Sequence, residues 1–228
     1  VRDEEEVRVS SGTIGGLLEQ REAAVQRTLD ELDGLASALI FEVNNLHTTA
    51  RPAAGLTDVT GYIVVDAAHQ TLALNDPTNN SIATLPFGPS NGSFNVRITD
   101  QNGNTFDTTI EVDLDGVTNA GAAGFGDDTS LADLAAALDA IPNLNAQITP
   151  AGELRVFTDN GFDVSFGDDT SGVLATLGVG TFFTGEDGRD IAVRADLRSD
   201  PELLSVGTEP GRNETALAIA QLSETAVD

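Results

Sequence analysis

The chain has no cysteine, no lysine and no tryptophan in 228 residues, and a single tyrosine. Without cysteine there is neither a disulfide framework nor a zinc–thiolate site. Without lysine a phosphate-binding loop lacks its cation, so Gly-rich stretches such as Gly121-Ala122-Ala123-Gly124 do not read as nucleotide cradles. No stretch approaches the roughly 18 consecutive apolar residues of a membrane span. No secretory signal peptide is recognisable, and no G-x-S-x-G nucleophile elbow occurs. Ten of the aromatic residues are Phe, so the cores are expected to be mainly aliphatic.

Basic charge is also scarce. Thirty-seven acidic residues face 11 basic ones, all Arg, for a net charge of −26. A surface of that sign repels nucleic acid and anionic membrane, so neither is an expected partner. Such charge reads first as a solvated face. Adaptation to a salty medium and weak divalent-cation binding are the alternatives. Eight Pro and 23 Gly do not argue for disorder, and 40% hydrophobic residues suffice for one or two ordinary cores.

What is present begins with a heptad pattern. Leu18, Val25, Leu32, Leu39 and Leu46 recur every seventh residue, with Leu29, Ala36 and Val43 four further on. Such a seam requires a second helix to cover it. Read as one helix, Ile14 to His47 is a rod about 50 Å long at 1.5 Å per residue. Asn44-Asn45 and Thr48-Thr49 weaken it, and Arg51-Pro52 ends it, because the residue before proline avoids the α region. Leu32 and Leu39 are expected to be buried against the returning chain, near Ile219 or Leu222.

From Gly61 the period changes to two. Tyr62–Asp66 with Gln70–Leu74, Phe94–Thr99 with Phe106–Val112, and Asn145–Thr149 with Glu153–Thr158 read as hairpins, and Phe162–Phe166 as a further strand. Ser130–Ile141 reads as an amphipathic helix with a Ser130/Asp133 capping box. Ser171–Leu177 is a shorter helix closed by Gly178. Pro201 suits a first turn capped by Ser199 or Asp200, and Asn213 can cap a last helix through Leu217, Ile219 and Leu222.

FGDDTS occurs twice, at Phe125–Ser130 and Phe166–Ser171. Its paired carboxylates with Thr and Ser oxygens suit Ca²⁺, but both copies precede helical patterns, and helix capping is the favoured reading. Asp113-Leu114-Asp115-Gly116 resembles the start of an EF-hand loop, without its third acidic position or distal Glu. His47 and His69 fall in a helix end and a turn, which does not favour a shared site. Gly15-Gly16 reads as a close packing point. No catalytic, cofactor-binding or metal-binding residue is therefore expected, no cofactor is expected, and no enzymatic activity.

Several segments together carry a resemblance. SGTIGGLLEQRE, with a long helix ending in FEVNNLH, resembles the central region of the flagellar hook-associated protein 1 family. So do ATLGVGTFFTGEDGRDIAVRADLRSDPELLSV and GRNETALAIAQLS towards the other end. FNVRITDQNGNTFDTTIEVDLDG, SLADLAAALDAI and GELRVFTDNGFDVSFGDD are similar to the insert domain of flagellins and hook-associated proteins. The likeness covers most of the chain and is weakest between Pro52 and Ser90. It implies an extracellular structural subunit of the bacterial flagellum, secreted by flagellar export. Such a subunit sits at the junction of hook and filament, packed against copies of itself in a ring, hook protein and other hook-associated proteins. Val1 and the end at Asp228 within a helical pattern suggest a central piece trimmed of the family's terminal helical segments.

The expected class is α+β: a discontinuous helical rod with a first arm at 1–50 and a return arm at 185–228, and a β-rich domain inserted at 51–184. Val7–Val9 and Ile191–Val193 are expected to lie close together, and the isolated chain is expected to be monomeric. An adhesin-like surface-binding module is the alternative function, to be favoured by a cluster of exposed aromatics. Flagellin or a related hook-associated protein is the nearest structural competitor.

Overall fold

The computed structural model describes residues 11–52, 55–208 and 212–224. The fold is α+β. It opens with α1 (Gly12–Thr48), followed by β1 (Arg51–Pro52), β2 (Asp58–Thr60), α2 (Asn80–Ala83), β3 (Gly92–Asp100) and β4 (Thr105–Val112). Next come α3 (Leu131–Asp139), β5 (Leu144–Ile148), β6 (Leu154–Thr158), β7 (Phe162–Gly167) and α4 (Val173–Leu177). The chain continues through β8 (Phe183–Thr184), β9 (Ala192–Val193), α5 (Ala195–Ser199), β10 (Ser205–Gly207) and α6 (Glu214–Gln221).

Two three-stranded antiparallel sheets, β4-β3-β7 and β2-β6-β5, form the β-rich part. Period-two alternation puts Phe94, Val96 and Ile98 of β3 on one buried face. They join Leu154 and Val156 of β6, Val164 and Phe166 of β7, Leu131, Leu134 and Leu138 of α3, and Leu174 and Leu177 of α4 in one core. Asp100 makes the β3–β4 turn, its carboxylate accepting from the Asn102 and Asn104 N–H groups at 2.8 and 2.9 Å.

The helix ends follow local chemistry. Ser130 Oγ accepts from Asp133 N at 3.2 Å, while Asp133 Oδ2 accepts from Ser130 N at 3.1 Å, completing the capping box of α3. The α4 helix stops at Gly178, whose φ of 72° favours glycine. Its side is also closed, since a Cβ there would lie 2.3 Å from Tyr62 Cδ1. Asp200 caps the 3₁₀ turn at Pro201–Leu203 through the Glu202 N–H. Asn213 precedes α6, but its side chain makes no capping bond.

Two expectations are corrected. Residues 62–74 hold no hairpin: His69 N bonds Asp66 O, Leu72 N bonds His69 O, and Val65 N bonds Gly152 O, so the backbone is satisfied by turns and by the β5–β6 turn. Of the pair expected to lie close together, Val7–Val9 falls outside the described residues, while β9, within Ile191–Val193, pairs with β8. The second correction concerns α1. It spans 37 residues, but Leu32 and Leu39 are 54% and 42% exposed, and Val25 and Leu29 are exposed as well. Only the end of the seam, at Val43, is buried.

Candidate functional site

The buried face of α1 is set by Ser37, Ile40, Asn44 and His47, spaced three or four residues apart. This face is turned by about 85° from the heptad seam at 100° per residue. It is largely polar and hydrogen-bonds the backbone of residues 180–186, while α1 also packs against α4. Ser37 Oγ donates to Glu186 O at 2.5 Å. Asn44 Oδ1 accepts from the N–H groups of Phe182 and Phe183 at 3.0 and 2.8 Å, while its Nδ2 donates to Phe183 O at 3.1 Å. His47 Nδ1 donates to Gly180 O at 2.8 Å, and its Nε2 accepts from Ser205 N at 3.1 Å. Irregular backbone needs donors and acceptors, and a polar helix face supplies them.

Further contacts extend that anchorage. Arg189 pairs with Asp33 at 2.6 Å. Strand β1, directly after α1, pairs antiparallel with β10. Helix α6 packs against both α1 and β10. Thr208 Oγ1 donates to Glu214 Oε1 at 2.6 Å, which holds that carboxyl down at about 2 and ties the end of β10 to α6.

Beyond this anchorage α1 projects. Residues 19 to 32 are all exposed, including Glu19, Arg27 and Asp30. Ile14, Leu17, Val25, Leu29, Leu32, Leu35 and Leu39 together form one apolar stripe of large exposed side chains. They fall on one side of the helix because their spacings follow the helical repeat. Gly16 is no packing point, for a Cβ there would meet open space.

The residues singled out for chemistry are not assembled into a catalytic arrangement. Both His47 nitrogens are engaged by backbone groups, and burial holds the ring's pKa below the ordinary 6.5. His69 lies elsewhere, with Nδ1 2.9 Å from Ser81 Oγ. Among the described residues no carboxylate bonds the other nitrogen of His69, so this pair lacks the third group that orients a base. A cleft of about 590 Å³ between the end of α1 and strands β3 and β7 contains Arg51 and Arg97. Their guanidinium groups are engaged by Asp163 at 3.7 Å and Asp107 at 2.7 Å. No described helix is long and apolar enough to cross a membrane.

The two FGDDTS copies differ. In the second, Asp169 Oδ1 accepts from Ser171 N, Ser171 Oγ and Gly172 N, and Oδ2 from Leu174 N, so this copy anchors the start of α4. In the first, Ser130 does the capping and Asp128 turns instead towards Asn75 and Gly116. No known family model matches the chain, and none of the curated proteins is similar to it.

Proposed function

We propose that the chain is a structural subunit of the bacterial flagellum. It forms the junction between hook and filament by lateral packing of its helical rod with copies of itself and with neighbouring hook and hook-associated proteins. The observation that carries this reading is the apolar stripe of α1, from Ile14 to Leu39, standing exposed on a helix about 55 Å long. Large contiguous apolar surface marks interaction sites. The motif resemblance names the partners. In this reading α1 and the segment from 185 onward make the rod, and residues 51–184 form the insert that faces outward. The protein acts mechanically, is not an enzyme, and lies outside the cell.

The isolated chain is monomeric at low salt in this reading, because −26 charges oppose association of the stripes. The surface-binding alternative draws little support from the aromatics. Phe106 and Phe125 are exposed, but Phe106 lies near the start of β4 while Phe125 lies beside Gly116, past that strand's end.

Residues 1–228 contribute no cysteine of their own to a cross-linking test. Leu32→Cys introduces a thiol on the stripe in intact cells, and the same protein without that substitution is the control for any other thiol. Cross-linking to a second copy or to a hook or filament subunit, with immunogold label at the hook tip, is the expected result. Label distributed along the filament or over the cell body would overturn the junction assignment.

A further inference from the structure

We infer that Asp113, Asp115 and Asp128 form a binding site for one divalent cation, Ca²⁺ by its ligand chemistry. The loop between β4 and α3 brings them together. Asp113 N donates to Thr129 Oγ1 at 2.9 Å and Thr129 N to Asp113 O at 2.7 Å, which closes the two ends of the loop. Gly116 N donates to Asp128 Oδ2 at 3.0 Å, and a bridge between Val117 and Ala123 folds the middle back. One carboxylate oxygen from each of the three aspartates then lies within 4.8 Å of the others.

Acidic groups on a surface gather without a ligand often enough, and the decisive feature is Asp128. It is only 4% exposed. Its Oδ2 accepts from Asn75 Nδ2 at 2.6 Å and from Gly116 N, whereas its Oδ1 is closed off from solvent with no hydrogen-bond partner. A buried carboxylate oxygen without a partner is costly. Two further buried oxygens beside it, Asn75 Oδ1 and Asp127 Oδ1, also have no partner. Among the described residues no arginine pairs with Asp113, Asp115 or Asp128. A cation answers both deficits, the convergence of like charge and the bare oxygen.

The donor set selects the ion. Only oxygens converge, with no nitrogen or sulfur, which suits hard divalent cations over transition metals. Two of the three aspartates are exposed on a loop, so water can complete an irregular coordination shell. Ca²⁺ accepts such a shell of six to eight oxygens, whereas Mg²⁺ demands a near-ideal octahedron. Bound there, the ion would staple the end of β4 to the start of α3 and to the 75–79 turn. The segment is the one that the sequence assigns to capping. Ser130 caps the helix, which leaves Asp128 free for this second role.

Calorimetric titration and thermal unfolding of the full chain with CaCl₂ test the site, with MgCl₂ and ionic-strength-matched NaCl as comparisons. One Ca²⁺ per chain is expected, with Kd on the order of 10⁻⁴–10⁻³ M. At about ten times Kd, Tm should rise by about 3–6 °C. The double substitution Asp113→Asn with Asp115→Asn should weaken binding at least about ten-fold. Among the described residues the Asp113 side chain makes no hydrogen bond, and an asparagine at 115 can still accept from Val117 N as Asp115 Oδ1 does at 2.7 Å, so folding is retained. Should the pair of changes nevertheless impair folding, Asp115→Asn alone gives the same reading. Glu22→Gln with Asp30→Asn removes equal charge from α1 and should leave binding unchanged. No saturable Ca²⁺ binding, or equal binding by both double variants, would overturn the site in favour of general charge screening. Binding of Mg²⁺ as tight as that of Ca²⁺ would overturn the choice of ion.

Discussion

Two halves of α1 meet their surroundings in opposite ways. From Ser37 to Thr48 the helix is buried largely through polar side chains, of which Ser37, Asn44 and His47 are matched to backbone groups of residues 180–186 and of Ser205. From Ile14 to Leu39 its large apolar side chains stand exposed along one stripe. The anchored half is specific, because unmatched polar groups are costly when buried and so fix one register. The projecting half is adaptable, because apolar contact depends on shape and area and tolerates sliding. A subunit that joins two different tubes would use both properties.

The comparison is sharpest at Asn44, which is fully buried and satisfies three backbone groups at once. Asn44→Ala leaves two N–H groups and a carbonyl unsatisfied, for an expected loss of about 3–5 kcal/mol in urea unfolding. A loss below about 1 kcal/mol would show that the anchorage does not depend on these bonds.

Gly178→Ala probes the neighbouring loop. Left-handed φ costs about 1–2 kcal/mol with a side chain. The clash with the Tyr62 ring adds to that, so about 2–4 kcal/mol in total is expected. A Tyr62→Ala background should recover the clash component and leave the backbone component. If the two changes are additive, ring and glycine are not in contact.

His47 makes the anchorage sensitive to pH. Burial depresses its pKa below 6.5, and protonating Nε2 would set one N–H against that of Ser205. The unfolded chain takes up its proton near 6.5 while the folded chain does so only at lower pH. Stability from this group is therefore complete above 6.5 and is lost as the pH falls from there through the folded value. Unfolding midpoints between about pH 5 and 7.5 should show this slope, and His47→Gln should flatten it. Identical slopes in both proteins would assign the effect to other groups.

The smallest effect is expected on the projecting half. Leu32→Ala should change the stability of the isolated chain by no more than about 0.5 kcal/mol, since the side chain is half exposed. A loss of about 2–5 kcal/mol would mean that the stripe is a core face after all. Under the junction role proposed above, the same substitution should weaken assembly in cells, with motility or filament retention as the readout.

Elements governed by neighbours in sequence were legible before folding. The Ser130/Asp133 box, the Asp100–Asn104 turn, the glycine stop at 178 and the Asp200 cap each involve groups within a few residues of one another, so their bonds follow from local spacing. Strands β3, β4, β5, β6 and β7 were legible through alternation. The hairpin expected at 62–74 was not, because its alternation served a segment whose backbone bonds run to Gly152 and to local turns.

The sequence by itself determined the length and the end of the long helix, the local caps, and an acidic surface without lysine. Only the tertiary structure decided which face of that helix is buried. A heptad pattern specifies a stripe that can be covered, but the covering partner is chosen by what the rest of the chain offers. Here that included the backbone around β8, whose N–H and C=O groups Ser37, Asn44 and His47 answered where leucine could not, beside the packing of α1 against α4 and α6. The convergence of Asp113 and Asp115 with Asp128 was likewise beyond sequence reasoning. More than ten residues separate them along the chain, and only the closure of the loop by Thr129 and Gly116 brings their charges together.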